Sequence, residues 1–385
     1  WHLVLSRSGY RVSLMPLLVI LALYGLARGL RRGSARGWCW CGLFTGLGLW
    51  SYKAFVFVLP VVLGSACLYV LMRPRTRPDG SGCAERWDPS ARTMLVGCAV
   101  WLLVTAITCA PLVRYAVDQP DTYLARELLA QEIVSSAAGG LSRSTMLYQN
   151  AITSLLMFNY IGDGNSRFNV PFQRHLGFVS GLLLVFGLAA ALTAPRRRGH
   201  ALLLVSLLGL LVPMTVTMVA HEMPNCFRSA GTIGPAVALG ALALQRIRML
   251  LARALAPISH LRLRGTPGHG TRARRRSLSG GAALALLAPL VAGLFLLAEW
   301  RETEGFYFHD LAQYAPDQAN YSIALEISKT IADYRNGPAF IKVWPHWFDG
   351  RALAVHLDAS GNAPPVELTT LEPDHIRALA LVKAA

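Results

Sequence analysis

Long apolar runs alternate with short polar breaks along most of the chain. Stretches without charge, suited to a hydrocarbon layer of roughly 30 Å, lie near 12–27, 94–113, 177–194, 201–220, 229–245 and 280–298. From Gly37 to Met72 the apolar pattern runs for about twice the usual span length and breaks only at Trp50, Ser51, Tyr52 and Lys53. That break predicts two short helices joined by a tight turn, and therefore eight spans in all. Beyond residue 298 the period changes. Ile323, Leu325, Ile327 and Ile331 have helical spacing, whereas Ala339–Val343 and Ala352–His356 read as strands. The pattern predicts an all-α polytopic membrane bundle over 1–298, with a long outward loop at 114–176, and a small α/β extracytoplasmic cap over 299–385.

Composition supports this division. Of 385 residues, 54% are hydrophobic and only 15% charged, with a mean hydropathy of +0.41. Soluble domains carry charge on about a quarter of their residues, so a water-soluble globule is excluded, as is intrinsic disorder. A membrane β-barrel would instead show segments of about ten residues with alternating polarity. The seven cysteines are an odd number, and Cys39, Cys41, Cys67, Cys98 and Cys109 lie in apolar runs as small hydrophobes, so no disulfide framework follows. Cys39-Trp40-Cys41 lacks both the spacing and the second pair of a structural zinc site.

The net charge of +16 is informative through its distribution. If spans alternate, 28–36, 73–92, 195–200 and 246–279 share one side and carry 21 Arg against three acids. The remaining polar segments carry 16 basic and 18 acidic residues, dividing the charge into +18 and −2. The positive-inside rule assigns the first set to the cytoplasm, with both ends of this chain outside. The basic stretch Arg246–Arg276 then reads as a topology determinant beside anionic lipid. It has no interleaved aromatics, zinc pattern or recognition helix, and nucleic acid is not an expected partner. The chain starts at Trp1 with no signal-peptide layout and is expected to be a piece of a longer protein.

Polar side chains gather at the outward edges. Within 114–176, Phe158–Pro171 is dense in turn formers and in groups that bind hydroxyls or phosphates. A structural turn and a ligand-binding loop both fit it. Asp163-Gly164-Asn165 is unlike a calcium loop because Arg174 stands where the closing Glu belongs. Tyr123, Leu124, Leu128 and Leu129, beside Arg126, predict a short amphipathic helix on the membrane edge. In the cap, Trp344, His346, Trp347 and Asp349 lie between the two expected strands, where the tryptophans suit either a sugar platform or interfacial anchoring. His221-Glu222-Met223-Pro224-Asn225 is no zinc helix: Asn225 replaces the second His and Pro224 breaks the helix. Lys53 and Arg228 stand at outward ends of spans, where they either snorkel or bind an anion. Gly42 and Gly46 form a small-xxx-small pair for helix packing.

Several of these edges together resemble a known family. Ser6-Arg7 through Arg11, Gly46 through Lys53, Tyr115–Asp118 with Pro120–Arg126, Gly162–Asn165 followed by Arg167, Asn169 and Pro171, and Glu222 through Arg228 look like successive blocks of bacterial polytopic glycosyltransferases. These are enzymes of the protein-mannosyltransferase and aminoarabinose-transferase type, the RgtA/B/C/D-like group of the GT-C superfamily. Pro345–Asp349 and Arg351 in the expected cap add to the series. The resemblance implies transfer of a hexose or pentose from a polyprenyl-phosphate donor to a glycan, lipid or protein acceptor, at the outer face of a bacterial inner membrane. It implies donor-phosphate contacts from Lys53, Arg228 and Arg7, because a departing lipid phosphate gains charge that fixed cations stabilise. Tyr52, Asp163, Asn165, Arg167, Asn169, Glu222 and Asn225 become acceptor or sugar contacts. Many relatives carry an uncharged or aromatic residue at the position of Lys53. The resemblance places the general base in an acidic residue of a loop ahead of Trp1, so this chain alone is expected not to turn over substrate. No resident cofactor is implied, and a divalent metal is left open. Lys53 and Arg228 are expected to converge on one outward cavity, walled by the 114–176 segment. A transporter or flippase of a lipid-linked saccharide is the alternative.

Overall fold

The computed structural model describes residues 11–72, 90–120, 123–124, 142–165, 169–217, 223–255, 280–311, 313, 329–330, 339–341 and 366–368. It divides into two units, Trp1–Phe308 and His309–Ala385. The first is helical. Its main helices are α1 (Met15–Arg32), α2 (Ala35–Ser51), α3 (Val58–Leu71), α4 (Ala91–Asp118), α5 (Arg143–Leu156), α6 (Phe178–Leu192), α7 (Arg198–Thr217), the single turn α8 (Cys226–Ser229), α9 (Ile233–Leu255) and α10 (Gly280–Glu304). Short 3-10 turns at Lys53–Phe57 and Ala230–Thr232 lead into α3 and α9. In the second unit, β1 (Ala339–Ile341) and β2 (Val366–Leu368) pair in parallel, with Phe340 opposite Glu367. The strand expected at 352–356 lies outside the described residues, as do Trp344, His346, Trp347 and Asp349.

Among the described residues, five stretches are long and apolar enough to cross a membrane: Val12–Arg32, Lys53–Leu71, Ala91–Asp118, Arg198–Val216 and Cys226–Leu251. The protein is thus a multi-pass membrane protein in contact with lipid. α4 illustrates the physical basis. Its 28 residues span about 42 Å at 1.5 Å per residue, beyond the roughly 30 Å of a hydrocarbon core. Met94, Gly97, Trp101, Thr105 and Cys109 form its buried stripe, while Leu95, Leu103, Ile107 and Val117 stay 61–72% exposed. An apolar face this long and uncovered suits lipid and not water.

Small residues let the backbones approach. A Cβ at Gly37 would lie 2.6 Å from the Gly29 nitrogen, which sets the α1–α2 crossing. One at Gly42 would lie 2.7 Å from the Trp101 carbonyl, and one at Gly46 would lie 2.5 Å from Thr108 Cβ, so this pair does form the α2–α4 seam. Gly33 closes α1 in the left-handed region (φ 59°), and Ser34 then caps α2 by accepting from the Gly37 N–H. Two cores result. One joins α1 to α4 with Leu210, Cys226 and Ala230. The other joins α6, α7 and α9 around Leu184, Leu211, Met214 and Leu239.

Two parts of this arrangement differ from the sequence reading. The 114–176 segment contains α5, a fourteen-residue helix capped by Ser142, which the pattern missed because its buried face is mostly polar. That face carries Met146, Asn150 and Ser154, and Asn150 Nδ2 donates to the Thr215 carbonyl at 3.1 Å. The boundary near 298 also moves, since α10 continues to Glu304. Its final turns hold α6: the Phe178 N–H donates to Glu302, and the Ser180 N–H and hydroxyl donate to Glu299. Arg174 completes the junction by pairing with Glu302. Carboxylates suit this place because the first amides of a helix lack partners and carry partial positive charge.

Candidate functional site

Contacts sort the helix ends into two groups. At one, Gly33, Ala35 and Arg92 line one cavity, and at the α3–α7 contact the Arg198 guanidinium lies 4.3 Å from the Tyr69 ring. At the other are Lys53, Tyr123, residues 157–165 and 169–177, α8 and the end of α10. This second end carries the expected polar edges.

Its centre is a buried knot around Asp163. The Asn165 N–H donates to Oδ1 and the Cys226 N–H to Oδ2, both at 2.8 Å. The first bond is an Asx turn, the local chemistry for which Asp is favoured in such loops. The second is long-range and ties the loop to the start of α8. Asp163 is only 3% exposed, and hydrogen bonds to a charged acceptor are the strong kind that makes such burial tolerable. The Asp163 N–H donates to His175 Nε2 at 3.1 Å, and Cys226 Sγ lies 3.6 Å from the same nitrogen. Burial pushes the His175 imidazole down to about 3, because its cation would lose water without a comparable replacement. Asn169 donates through Nδ2 to the carbonyls of Asp163 and Gln173. The chain reverses through paired backbone bonds, Gly162 N–H to the Phe172 carbonyl and Phe172 N–H to the Asp163 carbonyl. A Cβ at Gly162 would collide with the Gln173 carbonyl, so this position needs glycine for close approach.

Asn225 stands beside this knot and organises the next segment. The chain is non-helical at Met223–Asn225, and the Asn225 side chain accepts from the Phe227 and Arg228 N–H groups at 3.1 and 3.2 Å. This is an N-cap, and it fixes where Arg228 leaves the backbone. Arg228 is half-buried. Phe227 packs against the core that contains Ala54 and Phe55, which places the Lys53 turn and the Arg228 turn at the same end of the bundle. Lys53 itself is exposed; its amine donates to the Tyr123 carbonyl and lies 4.4 Å from that ring's centre. Tyr52 is half-buried and caps α2 through its backbone N–H to the Gly48 carbonyl at 3.3 Å.

The expected site residues thus take different positions. Lys53, Tyr52, Asn225 and Arg228 share this end with Asp163, Asn165 and Asn169. Asp163 and Asn169 face inward to hold the loop, while Asn165 is exposed. Arg7, Arg167 and Glu222 lie outside the described residues, as does most of the helix expected around Arg126. His175 and Cys226, which join the knot across 51 residues, carried no sequence signal beyond being a lone His in a polar loop and a Cys after Asn225. Among the described residues, no group of three or more His, Cys, Asp or Glu is placed to hold a metal ion.

No family model, curated protein or solved structure matches this chain.

Proposed function

We propose that the protein is a membrane glycosyltransferase of the polyprenyl-phosphate-dependent type, acting at the outer face of a bacterial inner membrane. The observation that carries this reading is the half-buried Arg228, held by the Asn225 cap and anchored through the Cys226–Asp163 bond, at the same bundle end as Lys53. Preorganised cations at a membrane edge are what a departing lipid phosphate requires, since low dielectric strengthens their effect and no reorganisation accompanies the charge. The resemblance of the residue blocks supplies the reaction class. In this reading eight spans form the bundle, the Arg-rich end faces the cytoplasm and a small α/β cap lies outside the membrane. Lys53, Arg228 and Arg7 contact the donor phosphate. Tyr52, Asn165, Arg167, Glu222 and Asn225 face the acceptor or sugar, while Asp163 and Asn169 set the loop that presents them. A glycan, lipid or protein hydroxyl accepts the sugar.

Transport of a lipid-linked saccharide is the weaker reading. Ionisable residues on a translocation path usually face the bundle interior or an aqueous cavity at mid-membrane. Among the described residues the buried carboxylate is Asp163, in a loop, and the buried polar groups of the spans are mainly hydroxyls such as Thr45, Thr105 and Ser206. Thr45 and Ser206 bond back to their own helices, and Thr105 bonds to Gly42 of the neighbouring helix.

The 385-residue chain in lipid nanodiscs tests the donor site. It should retain a polyprenyl-phosphate sugar, and Arg228→Gln with Lys53→Gln should weaken retention roughly tenfold or more, as expected for charge-assisted bonds. Unchanged retention in the double variant would remove the donor site, and saccharide flux across proteoliposomes would favour transport.

A further inference from the structure

The helix α5 turns its polar side inward and its apolar side away from the protein. Met146, Asn150 and Ser154 form the buried stripe, and two of the three are polar. Asn150 donates to the Thr215 carbonyl, and the Ser154 hydroxyl donates to the Asn150 carbonyl at 2.6 Å while lying 3.5 Å from Thr215 Oγ1. At about 100° per residue, the opposite side carries Tyr148, Ile152, Leu155 and Leu156. All four are exposed, Tyr148 by 67% and Leu155 by 52%. After Arg143 the helix has no charged residue, whereas about a quarter of the residues in soluble domains are charged. Its 14 residues reach about 21 Å, short of the roughly 30 Å needed to cross a hydrocarbon core. A short helix with this pattern suits the membrane edge and not water.

An independent observation comes from Phe172. Ile161 follows α5 and is exposed, and the Gly162 N–H donates to the Phe172 carbonyl, which sets Phe172 beside the end of α5. Phe172 is 67% exposed and has a φ of 62°. The left-handed region is an outlier for a bulky residue, and Gly or Asn would adopt it with less strain. The ring meets Gly164 on one edge and otherwise faces outward, so packing within the protein does little to offset that strain. Hydrocarbon around the ring does, because moving apolar surface out of water is favourable. The lipid is already adjacent. Thr215, the partner of α5, belongs to the membrane-spanning stretch Arg198–Val216, where Val212 and Val216 on the same part of α7 are exposed. The outward side of α5 therefore continues an apolar face that lies in the bilayer, and lipid is the occupant it fits.

We infer that α5 and the Phe172 turn form a membrane-docking surface, with Tyr148, Ile152, Leu155, Leu156, Ile161 and Phe172 seated in the acyl region of the leaflet at the Lys53 end of the bundle. The Gly162–Phe172 pairing ties this surface to the Asp163 knot, so docking sets the depth of the knot at the headgroup level. The inference is independent of the transfer chemistry. In the test, the full chain is placed in nanodiscs of phosphatidylcholine and phosphatidylglycerol, with photoreactive benzoylphenylalanine replacing Tyr148, Leu155 or Phe172, one at a time. Irradiation should give lipid adducts by mass spectrometry at each position, in yields comparable to the same probe at Leu103 on the exposed face of α4. A second measurement uses Leu155→Gln, since Gln and Leu have similar helix propensity. Its melting temperature in nanodiscs should fall, because an amide replaces an apolar group in hydrocarbon. Any of the three positions failing to capture lipid while Leu103 does so would overturn the inference. Cross-links to a second copy or to another protein in place of lipid, or an unchanged melting temperature in Leu155→Gln, would overturn it too.

Discussion

Asp163 shows why a polar motif in a membrane-edge loop does not define a direct ligand contact. Both carboxylate oxygens serve backbone amides, one local and one 63 residues away. Asp163→Ala should therefore destabilise the loop and the start of α8, by about 1.5–3 kcal/mol for each charged bond lost. Thermal unfolding in detergent would report the loss, together with faster proteolysis between 157 and 177. If sugar transfer by this chain were instead abolished while unfolding stayed normal, Asp163 would be the reacting base. His175 gives a pH signature. Its folded value of about 3 lies below the ordinary 6.5, so at neutral pH both folded and unfolded forms are uncharged and no penalty applies. As pH falls below about 6.5 the unfolded state takes up the proton first, so stability declines toward pH 3. Melting temperature should fall between pH 7.5 and 5.0, and less so in His175→Gln, whose carbonyl oxygen can replace the imidazole acceptor.

Among the elements, α6 depends on a neighbour for its first turn. Gly177 supplies no side-chain cap, and Glu299 and Glu302 of α10 serve the α6 amides instead. Replacing both with Gln should preserve helix content but lower stability by about 1–2 kcal/mol, because the charge at the N-terminus and the Arg174 pair are lost together. Hydrogen exchange at Phe178 and Ser180 should rise; protection equal to the wild type would show that the acids are not the caps. On the other side of α6, Gly187 lies against the Leu239 carbonyl. Gly187→Leu should force α6 from α9 and cost about 1–3 kcal/mol or more, visible as an earlier unfolding transition. The α5 helix teaches the complementary lesson. Its buried positions at 146, 150 and 154 keep helical period, but polarity at 150 and 154 hides them from a search for apolar stripes. Their value lies in the α7 partners, which linear order does not show.

For the whole molecule, sidedness can be measured directly. In right-side-out bacterial spheroplasts, an impermeant maleimide should label Tyr160→Cys, whose native side chain is 72% exposed. Gly199→Cys, at a position with open space around it, should be labelled only after permeabilisation. The reverse pattern would invert the proposed orientation. The sequence by itself determined that the chain is a membrane protein and where its long apolar helices lie. These follow from the transfer of apolar runs out of water and from the cost of moving charge across lipid, and both are properties of local composition. It also marked Gly42 and Gly46 as packing positions and Asn225, Asp163 and Arg228 as a polar edge. The tertiary structure decided what each polar group does. Asp163 reaches Cys226, Glu299 and Glu302 reach α6, and Trp101 finds Thr45 across the α2–α4 seam. Hydrogen bonds depend on which groups long-range packing brings within about 3 Å, whereas hydrophobicity is carried by each residue alone. Span locations are therefore readable along the chain, and the roles of its polar residues appear only after the helices pack.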